Sequence, residues 1–195
     1  ESNLSQLTLY SQFNMRKPFL VSSDIEDVAG YLAEDGVRFE QWLLRSQSEE
    51  EDSDSRSDEI LNRYHVEIEQ LKNEKHYEFV DVVSVKKNRA FASALRNRFL
   101  SEHTHTEDEV RLFLSGTALF YLHINARIHI LQCERGDFLT IPKSVKHWFD
   151  MGPRPEYSCI RWFNSNEGVR NQLTGSYVAE STPRWETILG RPTNK

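Results

Sequence analysis

The chain has 195 residues, of which 38% are hydrophobic and 28% charged, and a formal net charge of −6. That is enough apolar material for one packed core, and the charge balance excludes a global basic field that would draw in nucleic acid or anionic lipid. No apolar run reaches the length of a membrane span and the start shows no signal-peptide pattern, so the expectation is a cytoplasmic protein without a membrane partner.

Residues 4–10 alternate as an edge strand does. Ser22-Ser23-Asp24 then precedes a helical pattern in which Ile25, Val28, Ala29 and Leu32 share a face. Glu26 is spaced for a capping box with Ser23, and Gly36 stands where a C-terminal cap belongs. Residues 37–44 alternate again and read as a strand. The stretch 46–58, SQSEEEDSDSRSD, holds no apolar residue. It lacks the spaced ligands and central glycine of a calcium loop, so a solvated loop is expected. Ile60, Leu61, Tyr64, Ile68 and Leu71 form one stripe of a helix over 59–74. The valine-rich segment 79–85 reads as a strand, and 88–100 as a helix with Phe91, Leu95 and Phe99 four apart.

Beyond residue 100 the pattern changes to short strands over 110–115, 117–125, 127–133, 138–141, 146–149 and 157–164. Turn signals separate them at Gly116, Asn125-Ala126, Glu134-Arg135-Gly136-Asp137 and Met151-Gly152-Pro153. Residues from 165 onward predict loop with some local helix, and no internal repeat is present. Helices early and strands late give an α+β reading with a β-barrel core. The two cysteines, Cys133 and Cys159, are expected to be free thiols inside it.

The chemistry concentrates in a few residues. His103 and His105 are two apart, so on a strand both imidazoles point to one face. Glu109 continues the same parity, and His147 lies on a later strand that must cross back. Imidazole and carboxylate suit Fe(II), Ni(II), Mn(II) or Zn(II), whereas a thiolate zinc site would need nearby cysteines. Four protein ligands on an octahedral ion leave two adjacent positions open. His65, His76, His123 and His129 read as ordinary structural histidines, and Glu107 and Asp108 as a solvated turn rather than as groups orienting the imidazoles. Arg111 shares the inward parity of Glu109, and Arg161 sits inside an apolar strand. Each is open to two readings, an ordinary salt bridge or a partner for an anion. Phe99, Trp148, Phe149 and Trp162 likewise stand between walling a pocket and packing a core.

Two motifs carry a resemblance. His103-Thr-His105-Thr-Glu-Asp-Glu109, six residues and Gly116 match the first cupin pattern, His-x-His-x3-Glu-x6-Gly. Gly136 to His147 is similar to the second, Gly-x5-Pro-x-Gly-x2-His, except that Ser144 replaces a glycine. The longer strings EHTHTEDEVR, HWFDMG, IRWF and GVRFEQW resemble the bacterial acireductone dioxygenases of methionine salvage, and the likeness runs from about residue 4 to about residue 183.

The resemblance implies a single cupin domain, a jelly-roll-like barrel with helices outside. A helix-rich part would span 1–100, the metal-binding core 101–164 and a tail 165–195. It implies one Fe(II) or Ni(II) per chain held by His103, His105, Glu109 and His147. Arg111 and Arg161 would face an anionic substrate, with Phe99, Phe149 and Trp162 lining its path. It further implies acireductone and O₂ as partners and a monomer. With Fe(II) the products would be formate and the keto-acid precursor of methionine; with Ni(II), methylthiopropionate, formate and carbon monoxide.

Overall fold

Alternating side chains sort each late strand onto two faces, and the computed structural model, which describes residues 4–86, 90–165 and 170–190, shows where each face goes. In chain order the elements begin with β1 (Gln6–Ser11), β2 (Leu20–Ser22), α1 (Ile25–Glu34), β3 (Arg38–Gln41), α2 (Glu49–Asp54), α3 (Ser57–Arg63), α4 (His65–Lys75), β4 (Phe79–Val85) and α5 (Ala92–Phe99). They continue with β5 (His103–Thr104), β6 (Glu109–Gly116), β7 (Ala118–Ile124), β8 (Arg127–Cys133), β9 (Asp137–Ile141), β10 (Lys146–Asp150), β11 (Tyr157–Phe163), β12 (Gln172–Leu173), α6 (Val178–Ser181) and α7 (Trp185–Ile188).

The strands pair antiparallel into two sheets. One runs β12-β5-β10-β7-β8-β1-β2 and the other β3-β9-β6-β11-β4. The α+β cupin architecture is as expected, but among the described residues the two sheets are not hydrogen-bonded to each other at their edges, so no closed barrel forms.

Burial on three levels explains why these strands are so apolar. Leu7, Leu9, Phe120, Leu131, Phe113, Leu139 and Cys159 fill the space between the sheets, with Val28 and Leu32 of α1 joining them. Val110, Leu112, Leu114, Ile160 and Trp162 point the opposite way, beneath Ile60, Tyr64, Ile68 and Leu71 of the α3–α4 segment. Tyr121, Ile130 and Trp148 lie on the outer face of the larger sheet with Ala179, Val178 and Trp185 of the tail packed on them. Strands β6 to β11, covered on both faces, bury most of their side chains, each large one contributing about 2 kcal/mol, while β2, β3, β4 and β12 are mostly half-buried or exposed. Both cysteines are buried and free, and burial pushes both thiols up.

Several local expectations change. The cap of α1 is Asp24, which accepts from the Asp27 amide at 3.1 Å, while the Ser23 hydroxyl accepts from Gln6 Nε2. The helix expected over 59–74 is broken at Tyr64 (φ −98°, ψ 19°) into α3 and α4. Residues 88 and 89 at the start of the helix expected over 88–100 lie outside the described residues, and α5 begins at Ala92.

The acidic stretch is the largest correction. It contains a helix, α2, capped by Ser48, and Asp52 within it is buried. Its carboxylate accepts from Arg63 Nη1 at 2.7 Å, Arg135 Nη1 at 2.8 Å and the Tyr64 hydroxyl at 3.0 Å, and also from Ser46. Two guanidiniums and two hydroxyls replace the water that the local composition alone called for.

The β8–β9 turn buries Asp137 and half-buries Glu134. Glu134 accepts from Gln132 Nε2 at 2.7 Å and from the Thr117 hydroxyl at 2.8 Å. Asp137 accepts from Ser5 at 2.6 Å and from the Glu134 amide at 2.8 Å. Burial outweighs these bonds and raises Glu134 to about 7 and Asp137 to about 6. A carboxyl whose folded pKa lies above its unfolded value stabilises fully below the unfolded value, and that stability is lost as pH rises through the folded one. Glu134→Gln cannot ionise and can keep both contacts. It should match the parent near pH 5 and exceed it by about 1–3 kcal/mol near pH 8. Urea midpoints across that range check this; a constant difference between the two proteins would refute the assignment.

Candidate metal centre

The first motif reaches the interior by a short strand and a turn. β5 places His103 directly opposite His147 on β10, and Leu173 of β12 flanks it on the other side. His105 follows, then the loop that delivers Glu109 to the start of β6. Gly116 ends β6 with φ +74°, and a Cβ there would stand 1.9 Å from the Glu156 carbonyl oxygen, which is why the motif closes on glycine. Ser144, at the departure from the second motif, holds φ +68°. The turn keeps the glycine conformation with a serine, and the Ser144 amide donates to the His105 carbonyl at 3.1 Å.

The imidazole nitrogens of His103, His105 and His147 lie within 4.8 Å of one another, and all three side chains are buried. Each ring is oriented by a backbone carbonyl on its Nδ1: Ser101 at 2.8 Å for His103, Arg170 at 3.0 Å for His105 and Val145 at 2.8 Å for His147. A carbonyl only accepts, so each Nδ1 carries the proton and each Nε2 presents a lone pair to the centre. Glu109 Oε2 stands 3.0 Å from Nε2 of both His105 and His147.

Burial first, then the neighbouring His147, lowers His103 to about 4. Burial would raise Glu109, but Arg111 and the two imidazoles outweigh it and hold the carboxyl well below its ordinary range. At His105 burial acts downward and Glu109 overcomes it, so its pKa is raised. With Nδ1 protonated on each ring, the three Nε2 lone pairs and the carboxylate oxygen repel one another unless a proton or a cation stands among them, and a single divalent cation serves all four at once. The 3.0 Å spacings fit donors at right angles about 2.1 Å from one ion. The donor set therefore suits a divalent transition metal.

Around this cluster the structure gathers Phe99, Phe149, Arg111 and Arg161, which line one cavity with the four candidate ligands. Arg111 is held by Glu109, with Nε 2.7 Å from Oε1, and its guanidinium lies over the rings of Phe120 and Phe149. Arg161 forms a two-point pair with Asp81, Nε to Oδ1 at 2.9 Å and Nη2 to Oδ2 at 2.6 Å. Both arginines thus have carboxylate partners and both border the cavity. Trp162 borders it too, but its ring packs edge-on to Phe138 in the helix-covered core, and Trp148 stacks on Tyr121 outside the larger sheet.

Glu107 and Asp108 lie at a bend, as expected, but half-buried and bonded rather than fully solvated. Glu107 Oε2 accepts from the Asn164 amide at 2.7 Å and Asp108 Oδ1 from the Lys143 amide at 2.9 Å, tying the loop to its neighbours. His123 bonds Glu102, and His129 pairs with Asp35.

Sequence reasoning missed Phe120, Asn171 and Asp81. Asp81 left a signal, the one charge in the strand FVDVVSV. Phe120 and Asn171, which line the cavity, left none.

Fold and site together define a metalloprotein of the cupin class. The family model described as "ARD/ARD' family" matches residues 20–171, and the chain belongs to that family. It is 38% identical over 186 residues to an acireductone dioxygenase of Hahella chejuensis, covering 95% of this chain and 98% of the relative. It is 40% identical over 183 residues to one of Pseudomonas aeruginosa, covering 94% and 99%. Among solved structures, acireductone dioxygenase from Bacillus anthracis with a cadmium ion in its active centre superposes with a TM-score of 0.70 at 24% identity, covering 86% of this chain and 97% of that one. That likeness bears on the fold.

Proposed function

We propose that this chain is a metal-dependent dioxygenase that cleaves an acireductone, 1,2-dihydroxy-3-keto-5-methylthiopentene, with O₂. Its family and its near full-length relatives named acireductone dioxygenase support the activity. The observation that carries the site assignment is the set of three Nε2 lone pairs and one carboxylate oxygen, each imidazole locked in one tautomer by a backbone carbonyl.

In this reading His103, His105, Glu109 and His147 hold one Fe(II) or Ni(II). The bound ion supplies a Lewis acid for the enediolate oxygens of the substrate. Arg111 keeps Glu109 ionised and oriented. Arg161 faces the anionic substrate with the donors that Asp81 leaves free. Phe99, Phe120 and Phe149 keep water out, which strengthens every charge interaction inside. Trp162 belongs to the rim of the path. The two metals give the two product sets: formate and the 2-keto acid with Fe(II), and methylthiopropionate, formate and carbon monoxide with Ni(II). Each set accounts for all the carbons of the substrate and both atoms of O₂.

The chain acts in this reading as one domain, a cytoplasmic monomer whose partners are acireductone and O₂. The net charge of −6 argues against a polyanion partner, and among the described residues no helix is long and apolar enough to cross a membrane.

The test is reconstitution. Metal-free protein loaded separately with Fe(II) and Ni(II) should accelerate the O₂-dependent loss of acireductone ultraviolet absorbance, and only the nickel form should release carbon monoxide. Rates equal to spontaneous oxidation with either metal would overturn the activity; one product set from both metals would overturn the metal assignment.

A further inference from the structure

We propose that Asp81 is a positioning residue for substrate binding, acting by aiming the Arg161 guanidinium into the metal cavity. The inference rests on the reading of the site as an acireductone pocket and adds a residue that the motifs do not contain. β4, β11 and β6 lie side by side, and their register sets Asp81 across from Arg161 and Arg161 across from Arg111. A carboxylate and two guanidiniums thus form one row on the inner side of the smaller sheet, ending at its edge strand.

The two arginines are not equivalent. Arg111 has Nε and Nη2 on Glu109 Oε1, at 2.7 Å and 2.6 Å, and Nη1 turned to the Cys159 sulfur at 3.7 Å. Each of its three nitrogens therefore has a partner. Arg161 gives only its Nε–Nη2 edge to Asp81, and its Nη1 has no hydrogen-bond partner among the described residues. Arg161 lines the cavity beside Arg111, so it is the guanidinium with donors to spare for an anionic oxygen.

A two-point fork does more than neutralise charge. It removes the rotamer freedom of a long side chain and fixes the plane of the guanidinium. The Arg161 side chain is 31% exposed and that of Asp81 41%, so without the fork Arg161 has solvent to turn into. At that exposure the pair contributes little to folding. A two-point fork beside the cavity therefore does more for the orientation of Arg161 than for folding.

Aiming and neutralising predict opposite signs. If Asp81 served only to neutralise Arg161, removing its charge would leave a more positive cavity and the anionic substrate would bind more tightly. If Asp81 aims Arg161, Asp81→Asn breaks the fork and binding weakens. The experiment is steady-state kinetics of the Ni(II)-loaded parent, Asp81→Asn and Asp81→Glu on acireductone, with thermal melts of each. We expect Asp81→Asn to raise KM at least about threefold with kcat within about twofold, and Tm to change little. Asp81→Glu, which keeps a two-oxygen acceptor, should recover most of the loss. A KM that is lower, unchanged or raised by less than that, or a loss confined to kcat, overturns the proposal. A parent without metal-dependent turnover overturns instead the functional reading beneath it.

Discussion

His147→Ala is expected to abolish both metal retention and turnover while leaving the fold in place. His147 supplies one of three imidazole nitrogens, and its Nε2 stands 3.0 Å from Glu109 Oε2. Its neighbours on β10 cannot replace it, because Trp148 lies in the outer cluster and Phe149, in the inter-sheet core, has no lone pair to give. Changes beyond the ligands themselves cost 10-fold to 100-fold in metal affinity. Loss of a ligand should therefore exceed about a hundredfold, and kcat/KM should fall to the spontaneous rate. Three measurements check it. Metal per purified chain should drop from about one to near zero. Added back to metal-free protein, Fe(II) or Ni(II) should stabilise the parent by up to about 4 kcal/mol at a thousand times Kd and raise its Tm, and should leave that of the variant unchanged. Circular dichroism should match, since β10 keeps its five-residue pairing with β7. A variant that still binds one ion and turns over would remove His147 from the centre.

Asp52→Ala should produce a loss of stability of about 3–5 kcal/mol, without touching the chemistry of the folded enzyme. The Asp52 carboxylate is fully buried, and it neutralises Arg63 and Arg135, whose side chains are only 22% and 25% exposed. Removing it takes away the acceptor that both guanidiniums and the hydroxyls of Ser46 and Tyr64 share and leaves a buried hole between two cations, although Arg63 keeps Glu51 at 3.1 Å and Arg135 keeps the carbonyls of Leu114 and Ser46. For a chain of this length the Tm should fall by roughly 6–20 °C. Asp52→Asn keeps one acceptor oxygen and should lose less, because the shape remains and the charge does not. Urea denaturation gives the energies, and kcat at a temperature where both proteins are folded should be unchanged, since none of the hydrogen-bond partners of Asp52 is a candidate ligand. A loss under about 1 kcal/mol would show that the stretch is solvated after all.

These two residues mark the range of what local reading reaches. The shared face of Glu109 and Arg111 on β6 follows from two-residue periodicity, whereas β5 ends at Thr104 and a bend at 106–107 separates His103 and His105 from Glu109, so the structure reaches their convergence through a turn and not through the continuous strand parity that the spacing suggested. The same rule separates Trp162 from Arg161, and the structure sends the tryptophan ring to the helix-covered side. Asp52 fails in the opposite way. An acidic run with no apolar residue reads as solvated, and only Arg135, 83 residues away, and Arg63 make its burial affordable. Asp81 was visible as a lone charge among valines, yet its meaning came from β11, which puts Arg161 across from it.

The sequence alone determined which side chains could bind a metal, which faces of the strands carry them and the family to which such a pattern belongs. Strand periodicity and motif spacing are encoded over a handful of neighbouring residues. The tertiary structure decided that His147 lies opposite His103, that two separate sheets form, that Asp52 is buried and that Arg161 is aimed by Asp81. Each of those is a pairing between distant segments, and its free energy exists only once the chain has closed the loop between them.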